Sequence, residues 1–230
     1  MSGATERAHL SVAEAIAAID TPQQFTALEA LGAAIDSTSD ADADALCAEI
    51  RRLGGVGLLG QLLPTAVDTA TTETPPSDGE YQIVRRVLFV LSNLCSEAVD
   101  TSSSETKRLL LECDGADDAV CASLEIADDA ATRFATALVL NLSDDADWTR
   151  RIGRRLQPRL GQLAGASADT VVRGFAKDAL ENMGVTDGGE TTELQFSAAA
   201  PAAAAPAAAA APAAAAPAAA AAPAAAVSSA

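Results

Sequence analysis

The sequence predicts an all-α protein built from stacked helical repeats. Three segments, VLFVLSNL, ATALVLNL and FAKDALENM, have nearly the same pattern of apolar residues before a closing asparagine and a leucine or methionine. The asparagines Asn93, Asn141 and Asn182 lie 48 and 41 residues apart, and self-similarity at about 40 residues indicates a helical repeat array. Aromatic residues make up only 3% of the chain, so aliphatic side chains must form a core between closely packed helices.

Residues 8–36 indicate two short amphipathic helices. Ser11 and Glu14 match a capping box, in which each side chain accepts a hydrogen bond from a backbone amide of the same turn. Pro22 indicates the start of the second helix, because proline suits the first helical position. Apolar residues recur at helical spacing in both helices: Val12, Ile16 and Ile19, then Phe25, Leu28, Leu31 and Ile35.

The following residues alternate between turn signals and apolar helices. The predicted elements are an acidic turn at 37–44, a short helix over 46–53 that Gly54-Gly55 stops, a helix over 56–67, a loop at 68–79, a helix over 82–95 and a polar connection at 99–104. The last connection explains why the first spacing between asparagines is the longer one.

The remaining helices repeat the order short, medium and long. They are predicted over 107–112, 116–126 and 130–142, and again over 148–154, 156–163 and 169–183, with Gly184 ending the last one. One such unit cannot bury its apolar face alone, so neighbouring units must stack on a continuous core.

This pattern over residues 46–185 resembles the armadillo repeat family, with about three degenerate repeats. The resemblance implies a right-handed α-solenoid of three-helix repeats, and HEAT repeats are the near alternative. A glycine between the short and medium helices is present as Gly55 and Gly115, whereas the third repeat has Arg155-Leu156 there. The predicted domains are an N-terminal helical cap or degenerate repeat at 1–45, armadillo-like repeats at 46–187 and a disordered tail at 188–230.

The resemblance also implies a binding site. In armadillo proteins the third helix of each repeat lines a concave groove, where an asparagine can hydrogen-bond the backbone of an extended peptide. By position these residues are Asn93, Asn141 and Asn182, and an amide suits the role because it both donates and accepts. The alternative is that each asparagine only caps its helix.

Two further features of the same helices modify this expectation. The tryptophan that precedes the asparagine by one turn in nuclear-import receptors is replaced by Phe89, Ala137 and Asp178, which argues against import cargo. Arg85 and Arg133 lie eight residues before their asparagines and share nearly the same helix face. They are predicted to contact carboxylates of a partner, and surface salt bridges are the simpler alternative.

Charge limits the classes of partner. The chain carries 32 acidic and 15 basic residues, a net charge of −17, which disfavours nucleic acid and anionic membranes and favours a partner with basic segments. A cluster of five arginines is the exception: Arg150, Arg151, Arg154, Arg155 and Arg159. Acidic residues surround this cluster, so we expect internal charge pairing there rather than phosphate binding.

Nothing in the sequence indicates catalysis, a metal site or a cofactor. Phosphate-binding and nucleophile motifs are missing, and His9 is the only histidine. The four cysteines contain no CxxC pair, which makes a zinc site improbable and fits a reducing compartment. We therefore expect a non-catalytic protein in the cytoplasm, with the nucleus as the alternative.

The last 33 residues are almost entirely alanine and proline. Prolines at intervals of five and six residues interrupt any helix that the alanines would form. This composition predicts a disordered spacer rather than a membrane anchor.

These observations together predict a protein–protein interaction scaffold that binds a partner peptide along a groove. The alternatives are an armadillo-type cofactor of the chaperone Hsp70 that speeds nucleotide exchange, and a structural array tethered by its tail. On the first hypothesis, Asn141→Ala or Arg133→Glu should weaken partner binding and leave thermal unfolding little changed.

Overall fold

The computed structural model of the protein describes residues 10–72 and 77–185. In these residues the chain forms ten α-helices and no strand. The helices are α1 (Val12–Ala18), α2 (Gln24–Ser37), α3 (Asp40–Arg52), α4 (Gly55–Thr72), α5 (Asp78–Leu94), α6 (Ser103–Leu111), α7 (Ala116–Ser123), α8 (Asp129–Ser143), α9 (Ala146–Ala166) and α10 (Thr170–Asn182).

The helices stack in layers that follow the repeat. Helices α2, α5, α8 and α10 pack side by side in that order, and we call them the third-helix layer. Helices α4, α7 and α9 pack side by side behind them, and each contacts its partner in the third-helix layer. This arrangement is an all-α solenoid of armadillo-like repeats, as the sequence predicts.

Aliphatic side chains fill the space between the layers. In α5 and α8 the fully buried residues recur at helical spacing: Val84, Val87, Leu88, Leu91 and Leu94, then Ala131, Ala135, Leu138, Val139 and Leu142. The single tryptophan, Trp148, is also fully buried, and its indole Nε1–H donates to the Lys107 carbonyl at 2.9 Å. The core therefore runs without interruption from one repeat to the next, as stacking requires.

The N-terminal helices confirm the capping signal. The Ser11 hydroxyl accepts a hydrogen bond from the Glu14 amide, and the Glu14 carboxylate accepts one from the Ser11 amide. Helix α2 begins at Gln24, two residues later than predicted, and Pro22 lies in the turn before it, where the Thr21 hydroxyl accepts a hydrogen bond from the Gln23 amide. Helix α2 packs against α5, so it takes the first position in the third-helix layer.

Several predicted boundaries differ from the structure. Helix α3 begins at Asp40, so the predicted acidic turn at 37–44 is mostly helical. Helix α4 continues to Thr72 and therefore includes the first part of the predicted loop at 68–79. Helix α5 begins four residues early, because Ser77 and Glu80 form a second capping box.

The third repeat differs from the other two in having no break between its short and medium helices. Gly54 and Gly115 have φ angles of +77° and +75°, a left-handed conformation that ends one helix before the next begins. The corresponding residues of the third repeat are arginine and leucine, which continue a helix. The two helices predicted over 148–154 and 156–163 consequently form the single helix α9, with Pro158 inside it.

Some expectations fall on parts of the chain that the structure leaves undescribed. His9 and the alanine- and proline-rich tail predicted at 188–230 lie outside the described residues. Within the described ranges, no helix combines the length and the apolar character needed to cross a membrane.

Helix α4 packs so closely against the residues after α6 that position 60 requires glycine, and this requirement can be tested. A Cβ at Gly60 would lie 2.5 Å from the Cys113 Sγ and 3.0 Å from the Cys113 Cβ, so Gly60→Ala should destabilise the fold by about 1–3 kcal/mol. Gly57 is the matched control in the same helix, because a Cβ there would meet nothing within 4 Å. Gly57→Ala should stabilise the fold by up to about 1 kcal/mol through helix propensity. Urea unfolding of both variants measures the difference, and equal effects would contradict this packing.

Candidate peptide-binding surface

The predicted site residues all lie on the third-helix layer. Arg85, Phe89 and Asn93 are half-buried on α5, whereas Arg133 and Asn141 are on α8 and Asn182 is on α10. The repeat therefore places them on neighbouring helices, as the sequence predicts. Their hydrogen bonds show in addition that most of them join one repeat to the next.

Arg85 connects α5 to the start of α8. Its Nε donates to one Asp128 carboxylate oxygen at 2.8 Å, and its Nη2 pairs with the other oxygen. Asp128 is the N-cap of α8 and also accepts from the Ala131 amide at 2.7 Å. The hydrogen bond from Arg85 is the main cause that holds the pKa of Asp128 below its usual value. One carboxylate thus caps its own helix and binds the preceding repeat.

Arg133 makes the same contact one repeat later. Its Nε and Nη2 donate to the Asp169 carboxylate at 2.9 Å and 2.6 Å, and Asp169 is the N-cap of α10. Burial acts to raise the pKa of Asp169, but hydrogen bonds from Arg133 and from backbone amides outweigh it and keep the pKa low. The recurrence shows that the arginine belongs to the repeat pattern. We call the two pairs the arginine clamps.

The asparagines connect the opposite ends of the same helices. The Asn141 side-chain amide donates to the Ser92 carbonyl of α5 at 2.8 Å, and the Asn182 amide donates to the Ser143 hydroxyl of α8 at 3.0 Å. The Ser92 carbonyl lies in the last turn of α5, where carbonyls lack a partner within the helix. Asn93 instead donates to the Phe89 carbonyl of its own helix at 2.8 Å.

These contacts occupy only part of each amide. A side-chain amide has two N–H donors and a carbonyl oxygen, so one scaffold hydrogen bond leaves further capacity. The peptide-binding role of Asn93, Asn141 and Asn182 therefore stays a prediction. The structure adds a second role for Asn141 and Asn182, which is to join successive third helices.

An aromatic pair lies at the centre of the third-helix layer. The rings of Phe89 on α5 and Phe134 on α8 are 5.3 Å apart at an interplanar angle of 70°, an edge-to-face contact, and both residues are half-buried. On the other side of Phe89, a Cβ at Gly32 of α2 would lie 3.7 Å from the ring and 3.5 Å from the Arg86 guanidinium. The pair therefore forms a partly exposed apolar patch beside arginines.

A third set of cations joins the first helices to the connections that follow. The Arg51 guanidinium on α3 binds the carboxylate of Asp100 and donates to the Thr106 hydroxyl at 3.0 Å. Lys107 on α6 donates to Asp144 at 2.6 Å. Asp100 is 1% exposed, so the Arg51 pair belongs to the interior of the scaffold, whereas the buried Lys107 reaches a 40% exposed Asp144 side chain at the surface.

Four of the five arginines in the cluster on α9 pair with acidic residues of this chain, as expected, and Arg150 pairs with Asp147 of its own helix at 2.6 Å. Arg155 binds Asp118 at 2.7 Å, Arg151 binds Asp117 at 3.2 Å and Arg159 approaches Glu125 at 3.5 Å. The Arg159 Nε also donates to the Leu124 carbonyl at 3.0 Å. Three of the five arginines thus bind the α7 segment of the preceding repeat. They form another inter-repeat contact.

The cysteines show no sign of reactive chemistry. Burial raises the pKa of Cys47 and of Cys121 to about 11, and the pKa of the fully buried Cys95 to about 12. Burial also raises the pKa of Cys113. These thiols stay protonated near neutral pH and are poor nucleophiles. No cluster of potential metal ligands occurs among the described residues.

Sequence reasoning missed the residue that completes the aromatic pair. The sequence comparison used the position four residues before each asparagine. That position holds Phe89 in one repeat and Ala137 in the next. Phe134 lies seven residues before Asn141, as Phe175 lies seven before Asn182. A search of the sequence for phenylalanine alone finds Phe25, Phe89, Phe134 and Phe175, and the structure places one of them, half-buried, on each helix of the layer.

Comparison with known proteins supports the fold. No protein-family model and no curated protein matches this chain. The crystal structure of an engineered protein from the Northeast Structural Genomics Consortium superimposes with a TM-score of 0.54 at 18% identity, covering 75% of this chain and 62% of that protein. This chain therefore corresponds to less than two thirds of that protein's length.

Two designed armadillo repeat proteins also match. They are 14% and 13% identical, cover 75% and 76% of this chain and all of their own, and have a TM-score of 0.34 each. One of them is described in complex with the peptide (KR)4. The helix order, the stacked layers and the likeness to the engineered protein together give an armadillo-like repeat fold.

The arginine clamp predicts a pH-dependent contribution to stability. Arg85→Met leaves the mostly buried Asp128 carboxylate without its charged partner, which should cost about 1–3 kcal/mol of unfolding free energy near pH 7. Because the folded-state pKa of Asp128 is depressed, the clamp stabilises the fold above the unfolded pKa of about 3.9 and this contribution is lost as pH falls through the folded pKa. Denaturant unfolding of the wild type and of Arg85→Met from pH 7 downward should show the two unfolding free energies converging in acid.

Arg108→Met is the matched control, because Arg108 pairs with Glu105 and Glu112 on an exposed face of one helix. It should change stability little at any pH. An Arg85→Met variant that matches this control at pH 7 would show that the clamp does not stabilise the fold.

The amide contact changes one expectation drawn from the sequence. Asn141→Ala removes the donor to the Ser92 carbonyl and should lower the unfolding free energy by about 1 kcal/mol, rather than leaving it unchanged. Asn93→Ala removes only a contact within its own helix and serves as the comparison. Thermal unfolding of the two variants distinguishes the roles, and a larger loss for Asn93→Ala would count against the inter-repeat contact.

Proposed function

We propose that this protein is a non-catalytic interaction scaffold that binds a peptide segment of a partner across its third-helix layer. The observation that carries the proposal is the half-exposed pair of Phe89 and Phe134 at the centre of that layer. Most of the core is aliphatic and fully buried, whereas these two rings pack against each other and stay partly exposed to water. Aromatic and arginine side chains are also the residues enriched at the centres of protein interfaces.

The surroundings of the pair define the kind of peptide. Arg85 and Arg86 precede Phe89 by one turn, and Arg133 is adjacent to Phe134 in sequence. An apolar side chain of the partner would cover the rings, and a nearby carboxylate would meet the Arg86 guanidinium, since Arg85 and Arg133 already bind Asp128 and Asp169. Farther out, the net charge of −17 favours basic residues in the flanks of the peptide through long-range attraction.

The third-helix layer is held in one arrangement, which favours binding to a preformed surface over rearrangement of the helices around the ligand. The arginine clamps and the asparagine amides fix both ends of α5, α8 and α10 relative to one another. A preformed surface loses little conformational entropy when a ligand arrives. Binding should therefore depend on the central side chains and leave the helices in place.

A displayed library of random twelve-residue peptides tests the proposal without requiring a specified partner. Peptides enriched on the full chain should bind Phe134→Ala about tenfold to a hundredfold more weakly in a fluorescence anisotropy titration, as expected for an aromatic residue at the centre of an interface. Leu109→Ala is the control, because Leu109 is a half-buried leucine of α6 outside the third-helix layer. Equal affinity of both variants would contradict binding across Phe134.

A further inference from the structure

Arg86 differs from the other arginines near the Phe89–Phe134 pair. Arg85 and Arg133 each bind an aspartate that caps the following helix of the layer. Among the described residues, the Arg86 guanidinium has neither an acidic partner at ion-pair distance nor a hydrogen bond. Every buried side-chain nitrogen and oxygen in the described part of the chain has a hydrogen-bond partner, so this guanidinium must reach water. Its donors are therefore open to a ligand.

The Arg86 guanidinium and the Phe89 ring lie side by side where α2 meets α5. A Cβ on Gly32 of α2 would stand 3.5 Å from the Arg86 Nη1 and 3.7 Å from the edge of the Phe89 ring. The two groups thus border the same point of the surface, and glycine at position 32 leaves room for both against α2. A charged group and an apolar ring are in this way presented together.

We propose that Arg86 determines the specificity of the peptide-binding surface by binding an acidic side chain of the partner, two residues from the apolar side chain that covers the rings. The inference rests on the proposed function, since it names the chemistry of the peptide at that same surface. A guanidinium presents two parallel N–H donors that match a carboxylate, so the contact selects aspartate or glutamate over neutral residues.

The spacing within the peptide follows from the geometry of a helix and of an extended chain. Arg86 and Phe89 are three residues apart on α5, which separates them by about 4.5 Å along the helix axis. In an extended peptide, residues i and i+2 point to the same side and lie about 6.6 Å apart, whereas adjacent residues point to opposite sides. The long arginine side chain spans the difference. The expected motif is an apolar and an acidic residue separated by one residue, in either order.

Asn93 lies on the same side of α5 as these two residues. Positions 86, 89 and 93 follow the i, i+3, i+7 spacing of one helix face. The Asn93 amide donates to the Phe89 carbonyl of its own helix, whereas Asn141 and Asn182 bind the neighbouring helix. Rotation of the Asn93 amide toward a peptide backbone would therefore break no contact between repeats. This amide is suited to hold the peptide while Arg86 reads its side chain.

The charge of the whole chain makes such a preference distinctive. A net charge of −17 repels acidic peptides at long range. Asp36, exposed on α2, is a nearby carboxylate whose charge interacts with that of Arg86. Burial raises the pKa of Asp36, and the Arg86 charge acts in the opposite direction. An acidic residue at a fixed position in bound peptides would therefore reflect a local contact and not general attraction.

Peptides enriched from the random library on the full chain test the motif. They should carry aspartate or glutamate two positions from an apolar residue. Replacement of that acid by its amide should weaken binding about tenfold in the anisotropy titration, and Arg86→Gln should do the same. The two changes together should also cost about tenfold, because they remove one contact. Arg154→Gln is the matched control, since Arg154 is exposed on α9 and likewise has no acidic partner among the described residues.

Reversal of the charge gives a gain of binding that a misfolded variant could not produce. Arg86→Glu should bind the acidic peptide at least about tenfold more weakly and should recover affinity when the peptide's acid is replaced by lysine. Asp36→Asn should tighten binding of the acidic peptide about twofold to threefold, because it removes a repelling charge. Enriched peptides without a preferred acid, or equal affinity of the acidic peptide for the wild type and Arg86→Gln, would overturn the inference.

These outcomes separate the two proposals. Weaker binding to Phe134→Ala together with unchanged binding to Arg86→Gln would retain the scaffold function and reject the acidic specificity. A library that yields no binding peptide would overturn the scaffold function, and the specificity of Arg86 with it.

Discussion

The stacking of each third helix on the next is the interaction on which the rest of this structure depends. Apolar contacts between α5 and α8 stabilise the pair, but burial of apolar surface has no direction and does not fix how two helices slide along each other. Polar contacts at both ends supply that direction. Arg85 binds the N-cap of α8 at one end, and Asn141 binds the last turn of α5 at the other. The same arrangement recurs between α8 and α10, so each repeat positions its successor.

This arrangement also explains how so acidic a chain folds. The 15 basic residues are outnumbered by 32 acidic ones, yet many of them lie in contacts between repeats rather than on open surface. Lys107 is buried and Arg51 is mostly buried, each paired with an aspartate, and three arginines of α9 bind acids of the α7 segment. The cations thus join neighbouring repeats, whereas the surplus acids remain outside. The net charge of the surface follows from this division.

The sequence predicted local features well and long-range contacts poorly. Apolar periodicity identified the third helices, and the glycines at 54 and 115 marked breaks that the structure confirms with positive φ angles. The partners of Arg85 and Asn141 could not be read in the same way, because they lie 43 and 49 residues away along the chain. Their residue types indicated that Arg85 and Asn141 form hydrogen bonds, but not with which partners. Only the stacked helices show that Asp128 and the Ser92 carbonyl are available within the protein.

The scaffold and the proposed binding surface share the same helices, and this has an energetic consequence. A ligand that covers Phe89 and Phe134 would also exclude water from the neighbouring Arg85–Asp128 clamp, and electrostatic attraction strengthens when water is removed. Ligand binding should then stabilise the contact between α5 and α8 beyond the effect of mass action on the folded state. A surface placed between two repeats, rather than within one, therefore couples occupancy to the integrity of the array.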